Sequence, residues 1–188
     1  MLPPVQIRQL ERHDALTYHA LRLRMLRVYP DAFTSSFEED SLKPLAWAEK
    51  RIVAAAASPH DFVLGALAVG NALIGAVGLS VESRQKQRHK ALLFGMYVAP
   101  ESEARGVGRA LLAACVERAR SIPGLEQINL SVTATNDRAC RLYESAGFSI
   151  FGIEERAIKV GTEYFAKAHM TLRLFPDQSA TPARENHE

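Results

Sequence analysis

Cysteine is scarce in this chain. Its 188 residues include two, Cys115 and Cys140. Both fall inside apolar helical patterns, which argues against a disulfide framework and suits buried thiols in a reducing compartment. Excess charge is missing as well: 23 basic residues stand against 21 acidic ones, a net charge of +2. That balance argues against a nucleic-acid partner. The basic run "RQKQRHK" lacks interleaved aromatics and reads as a solvated link. Unbroken apolar stretches are also wanting. The longest, "FVLGALAVGNALIGAVGL", is interrupted by glycines and an asparagine and reads as a hairpin, not a membrane span. The opening "MLPPVQIRQLERHD" mixes charges early and has no apolar signal core. A cytoplasmic protein without membrane contacts is therefore expected. The six histidines show no metal-ligand spacing, so no metal is expected.

What is present suits one domain. Hydrophobic residues make up 47% and charged residues 23% of the chain, an ordinary globular composition. The expected layout is a single domain over residues 1–175 and a disordered tail over 176–188, where no apolar residue is larger than alanine. "VQIRQL" reads as a first strand. Leu16, Ala20, Leu23 and Leu26 recur at helical spacing among arginines taken to be solvated. "YPDAFTSSFEED" reads as a loop, and residues 41–57 as a second helix opening near Ser41. A hairpin turning at Gly70-Asn71 follows, then "ALLFGMYVA", apolar on both faces and so a central strand. The helix "GVGRALLAACVERARSI", the strand "EQINLSVTA", the helix "NDRACRLYESAG" and a last hairpin turning at Gly161-Thr162 complete the order β-α-α-β-β-β-α-β-α-β-β. Hairpins demand antiparallel pairing and β-α-β crossovers demand parallel pairing. The fold class is therefore α/β, a mixed sheet with helices on both faces.

The stretch "ARGVGRALLAAC", Ala104 to Cys115, carries the chemistry. Two glycines open a helix, where unpaired N–H groups and the positive end of the helix dipole attract anions. Glycines there let a phosphate approach the backbone. No P-loop, G-x-x-x-x-G-K-[ST], occurs. The dinucleotide fingerprint G-x-G-x-x-G fits Gly106 and Gly108, and Glu126 sits near a ribose-acid position. However, Leu111 holds the third glycine position, and the link from Val98 to Gly106 is too long for the tight turn.

A third pattern fits both this stretch and a second one. The order strand, link, glycine-opened helix, strand, "NDRACRLYESAGF" resembles the GNAT superfamily of N-acetyltransferases. Gly106 and Gly108 take the glycines of the family's Gln/Arg-x-x-Gly-x-Gly/Ala motif, with Val98 and Pro100 at the family spacing before them. The second motif, Asn-x-x-Ala-x-x-Leu-Tyr-x-x-x-Gly-Phe, is met at Asn136, Ala139, Leu142, Tyr143, Gly147 and Phe148. The resemblance covers roughly residues 5–174. It departs at Glu103, which stands where the family has Gln or Arg. A carboxylate there repels a pyrophosphate, and Arg105 or Arg109 is expected to supply the positive charge instead.

The resemblance implies the fold, acetyl-CoA as cosubstrate, and a direct acetyl transfer to a primary amine of a small molecule or peptide. It implies that the backbone of Arg105, Gly106, Val107, Gly108, Arg109 and Ala110 cradles the pyrophosphate. It implies that Met96, Tyr97 and Val98 offer their backbone to the pantetheine arm and the thioester oxygen. Tyr143 becomes the general acid for the departing thiolate; otherwise it is a packing residue on an amphipathic helix. Asn136 is a helix cap, a cofactor contact, or both. The general base stays open among Glu38, Glu39, Glu82, His89 and a water relay. Glu38, Glu39 and Asp40 could attract a cationic acceptor, which is expected between their loop and the last hairpin near Glu154 to Tyr164. A homodimer is possible. The rival from another class is a CoA-binding sensor without turnover.

Overall fold

The computed structural model describes residues 5–53 and 58–175. The expected tail and the last residues of the second predicted helix lie outside that range. The elements are β1 (Gln6–Gln9), α1 (Ala15–Val28), α2 (Phe37–Ser41), α3 (Leu45–Ile52), β2 (Phe62–Leu67), β3 (Leu73–Val81), β4 (Lys90–Val98), α4 (Val107–Arg120), β5 (Gln127–Thr133), α5 (Asp137–Ser145), β6 (Ser149–Val160) and β7 (Glu163–Arg173). The strands form one mixed seven-stranded sheet in the order β1-β2-β3-β4-β5-β7-β6. β4 does lie at its centre, and it pairs in parallel with β5; the other pairings are antiparallel. The second crossover differs from the expectation. β7 inserts between β5 and β6, so the helix α5 returns the chain to the sheet edge and makes no second parallel pair.

Two cores flank the sheet. On one face α4 sets Leu111, Leu112, Cys115 and Ala119 against Val77, Leu79, Ile128 and Met170. The spacing of these α4 residues is one helical stripe, and each fully buried leucine contributes about 1.5–3 kcal/mol. On the other face Tyr18, Met25, Ala48 and Ile52 from α1 and α3 pack on Leu10, Val63, Ala76 and Tyr97.

Two local differences from the sequence reading have clear causes. The loop after α1 contains the short helix α2, nucleated by a capping box in which Ser36 Oγ accepts from Glu39 N and Glu39 Oε2 accepts from Ser36 N, both at 3.1 Å. The Ser-x-x-Glu spacing at 36–39 is the signal that could have revealed it. Ser41 closes this helix; α3 is capped by Pro44. The arginines of α1 are not all solvated either. Arg22 is 4% exposed and donates from Nε to Asp40 Oδ2 at 2.6 Å, while Lys43 holds the other carboxylate oxygen. Asp40 is wholly buried, so it ties α1 to the α2–α3 segment and is closed to any acceptor.

Candidate functional site

A helix whose first residues are glycine-rich starts abruptly. Gly106 caps α4 in the left-handed region, φ +78°, a conformation that costs an L-residue roughly 1–2 kcal/mol and glycine nothing. The first α-helical hydrogen bond runs from Ala110 N to Gly106 O at 3.0 Å. Val107, Gly108 and Arg109 therefore present backbone N–H groups that lie before it, at the positive end of the helix dipole. A Cβ on Gly108 would meet only ordinary contacts, Leu142 at 3.4 Å and Met96 at 3.6 Å. The fold leaves room there, and the missing side chain keeps the backbone approachable.

β4 opens the sheet next to that helix end. Its parallel pairing with β5 stops after Leu92↔Asn129, although both strands continue, β4 to Val98 and β5 to Thr133. Among the described residues, β4 from Leu93 onward is paired with β3 alone, so its other edge is free of β5. A bulge adds a residue to β4 opposite Val77, with Gly95 at φ +57°. The extra residue reverses the alternation of side chains. Leu93 belongs to the α4 face, whereas Tyr97, which would otherwise share it, packs on the α1 face with Phe94, 6.2 Å from the Phe33 ring and 6.4 Å from that of Tyr18. Burial pushes the Tyr97 phenol well above its usual range, and nearby Tyr18 adds to the shift. Tyr97 is thus no base at neutral pH.

α5 delivers Tyr143. Asn136 caps the helix, its side chain accepting from Ala139 N at 3.1 Å. At the far end Phe148 N donates to Tyr143 O at 3.1 Å and Gly147 N to Glu144 O at 2.9 Å, with Gly147 at φ +93°. These are the two hydrogen bonds of a Schellman cap, and the apolar contact that accompanies such a cap is Phe148 edge-on to Tyr143, ring centroids 5.8 Å apart. The spacing Tyr-x-x-x-Gly-Phe is therefore a device that pins the Tyr143 ring. Among the described residues no protein group hydrogen-bonds the Tyr143 hydroxyl. Burial, reinforced by the neighbouring Cys115 and Cys140, raises its pKa, so it stays a protonated donor. Gly147→Ala is expected to cost about 1–2 kcal/mol through the positive φ, with its Cβ 3.2 Å from Leu172. Thermal melting should show a Tm lower by about 2–8 °C.

These pieces line one cleft of about 770 Å³. Its walls include Met96, Tyr97 and Val98 of β4, Gly106, Val107, Gly108 and Arg109 at the start of α4, and Asn136, Ala139, Leu142 and Tyr143 of α5. Met25, Tyr29, Ala32 and Phe33 close it from the α1 side. Of the expected site residues, Arg105 and Ala110 are not in the lining, and the Ala110 N–H is spent inside the helix.

The model of the acetyltransferase (GNAT) family matches residues 22–148. This chain belongs to the GNAT family. It is 35% identical over 105 residues to the N-alpha-acetyltransferase RimI of Mycobacterium tuberculosis, an alignment covering 55% of this chain and 62% of that protein. It is 41% identical over 63 residues to the mycothiol acetyltransferase of Propionibacterium freudenreichii, covering 34% and 20%. The chain thus spans less than two thirds of these relatives. The fold matches that of yncA from Salmonella typhimurium, a structure with its cofactor acetyl-CoA, at TM-score 0.75 and 20% identity, over 96% of this chain and 99% of that one.

Within this GNAT chain several sequence candidates stand away from the cleft. Glu38, Glu39, Glu82 and His89 do not line it, nor do residues of the last hairpin between Glu154 and Tyr164. Cys115 is buried, its thiol pushed up to about 12 by desolvation, which suits a packing residue. Among the cleft-lining residues that the reading of the sequence missed are Tyr29, Ser102 and Arg138. Arg138 follows the Asn136 cap by two positions and carried no motif signal. It pairs with Glu103, whose other oxygen accepts from Tyr29 Oη at 2.8 Å. The cation paired with the Glu103 carboxylate is Arg138. Among the described residues no group of three or more His, Cys, Asp or Glu is arranged to hold a metal, and no helix is long and apolar enough to cross a membrane.

Proposed function

We propose that this GNAT chain is an acetyl-CoA-dependent N-acetyltransferase that passes the acetyl group directly to a primary amine. The observation that carries this reading is the meeting of three unsatisfied features in one cleft: the leading N–H groups of α4, the free edge of β4 and the unpartnered Tyr143 hydroxyl. These residues fit the cofactor. Val107, Gly108 and Arg109 suit its pyrophosphate, as helix N-termini suit phosphates in general. The β4 edge at Met96, Tyr97 and Val98 suits an extended amide-bearing arm, which can add to it as a strand would. When bound, acetyl-CoA supplies the activated acetyl thioester. Backbone N–H groups of that edge stabilise the negative charge that develops on the acetyl oxygen. Tyr143 would hold its proton at Oη and give it to the departing sulfur, and the proton shed by the acylated amine, passed through solvent, would restore the phenol.

The acceptor amine enters from the α1 side, where Met25, Phe33 and Tyr97 form an apolar wall. The two curated relatives carry different activities in their names, so an amine panel must choose the acceptor. Calorimetric titration with acetyl-CoA, with NADH as control, followed by thiol release against α-amino, lysine-type and polyamine acceptors tests the reading. Tight acetyl-CoA binding, no NADH binding and release on one amine class are expected. Absence of acetyl-CoA binding would sink the reading. Binding without release from any amine is what a CoA sensor would give.

A further inference from the structure

An anion site that contains a carboxylate needs explaining. Glu103 lies three residues before Gly106 and lines the cleft, yet its charge is engaged on both oxygens: Tyr29 Oη donates to Oε1 at 2.8 Å and Arg138 donates to Oε2. The three side chains come from the loop after α1, the loop before α4 and the first turn of α5, 74 and 35 residues apart from Glu103 in sequence. All three line the cleft. The Glu103 side chain is 28% exposed and that of Arg138 57%. A pair so close to water contributes little to folding, so its place at the junction of three cleft walls points to the ligand. The hydrogen bond to Glu103, with burial second, raises the Tyr29 pKa and keeps that phenol a donor. Tyr29 thereby occupies one carboxylate oxygen and leaves the other to Arg138. One of the five guanidinium N–H donors serves Glu103, and the rest stay available to phosphate oxygens.

Building on the acetyl-CoA reading, we propose that Glu103 is the counter-ion that stations Arg138 at the cleft, and that Arg138 is the cation that grips the cofactor's pyrophosphate beside the start of α4. Glu103 and Tyr29 are positioning residues. Alone, Glu103 repels phosphate; joined to Arg138 it makes a near-neutral pair with donors to spare.

The test is a set of titrations with acetyl-CoA and with dephospho-CoA, which keeps the pyrophosphate and lacks the 3′-phosphate. The proteins are the wild type, Arg138→Gln, Glu103→Gln and the double variant. Arg138→Gln should weaken binding of both ligands by about 30-fold, because it removes a charge-assisted contact and unmasks Glu103. In the Glu103→Gln background the same change should cost only about fivefold, since no carboxylate is unmasked. The salt dependence of affinity should fall in Arg138→Gln, which a merely structural role would not produce. An Arg138→Gln effect within about twofold of wild type overturns the proposal. So does an equal loss in both backgrounds, which would uncouple Glu103 from Arg138. A loss confined to acetyl-CoA would move Arg138 to the 3′-phosphate and overturn the pyrophosphate assignment. Wild-type protein without affinity for acetyl-CoA would overturn the underlying reading instead, and is told apart by that first titration.

Discussion

Tyr143→Phe is expected to lower kcat by about two to four orders of magnitude while acetyl-CoA affinity stays within about threefold. The ring is held by the Schellman cap and by Phe148, and phenylalanine keeps that packing. The lost group is the hydroxyl, which no group among the described residues hydrogen-bonds. Its removal leaves no buried partner unsatisfied, and thermal stability should change little. The pH dependence adds a second check. Because burial raises the Tyr143 pKa above its usual 10.0, the proton is retained to higher pH than in a free phenol. Wild-type kcat should therefore show no alkaline loss attributable to Tyr143 below about pH 10. Steady-state kinetics of thiol release, with a parallel binding titration, measure both. A variant that keeps kcat within about threefold of wild type would remove Tyr143 from the chemistry and leave it a packing residue.

Asp40→Ala is expected to destabilise the fold by about 3–5 kcal/mol, lowering Tm by about 6–20 °C. Asp40 is fully buried and Arg22 is 4% exposed, so the substitution strands a guanidinium in the protein interior. Lys43, a third of whose side chain is exposed, can turn to water. Replacing both members, Arg22→Met with Asp40→Leu, should recover most of the loss, because an apolar pair removes the charge that has to be compensated. The same contact gives an acid limb. Burial pushes the Asp40 carboxyl upward, but Lys43 and Arg22 outweigh it, and the net shift is below the usual 3.8. A depressed carboxylate pKa contributes stability that is fully present above the unfolded value and is lost as pH falls through the folded one. Stability of the wild type should thus drop from just under pH 4 downward, and the double variant should lose less over that interval. Urea unfolding at a series of pH values reads both effects; equal slopes in the two proteins would remove Asp40 from the acid response.

Local devices were legible in the sequence because each lies within a few residues of itself. The stripe Leu111, Leu112, Cys115, Ala119 shows as helical periodicity, Gly106 marks the start of α4, and Asn136 marks that of α5. The Schellman cap that holds Tyr143 is written in Gly147 and Phe148. Backbone hydrogen bonds between near neighbours decide all of these, and a short window of residue types specifies them. The order of the elements and the mixed sheet follow from the same local signals.

Only the tertiary structure decided the rest, because the partners lie far apart along the chain. Inserting β7 between β5 and β6 is a choice of strand neighbour, and both alternatives satisfy the same hairpin and crossover. The divergence of β4 from β5 after Leu92, which makes the cleft, depends on pairing between strands that α4 separates. Asp40 reads as a solvated loop acid until the fold carries Arg22, 18 residues earlier, against it. Glu103 reads as a misplaced charge until Tyr29 and Arg138 close on it across 74 and 35 residues. Periodicity and capping reveal which way a side chain faces along its own element; what it faces is determined by how the elements pack, and in this GNAT chain the charges of the cleft are set at that level.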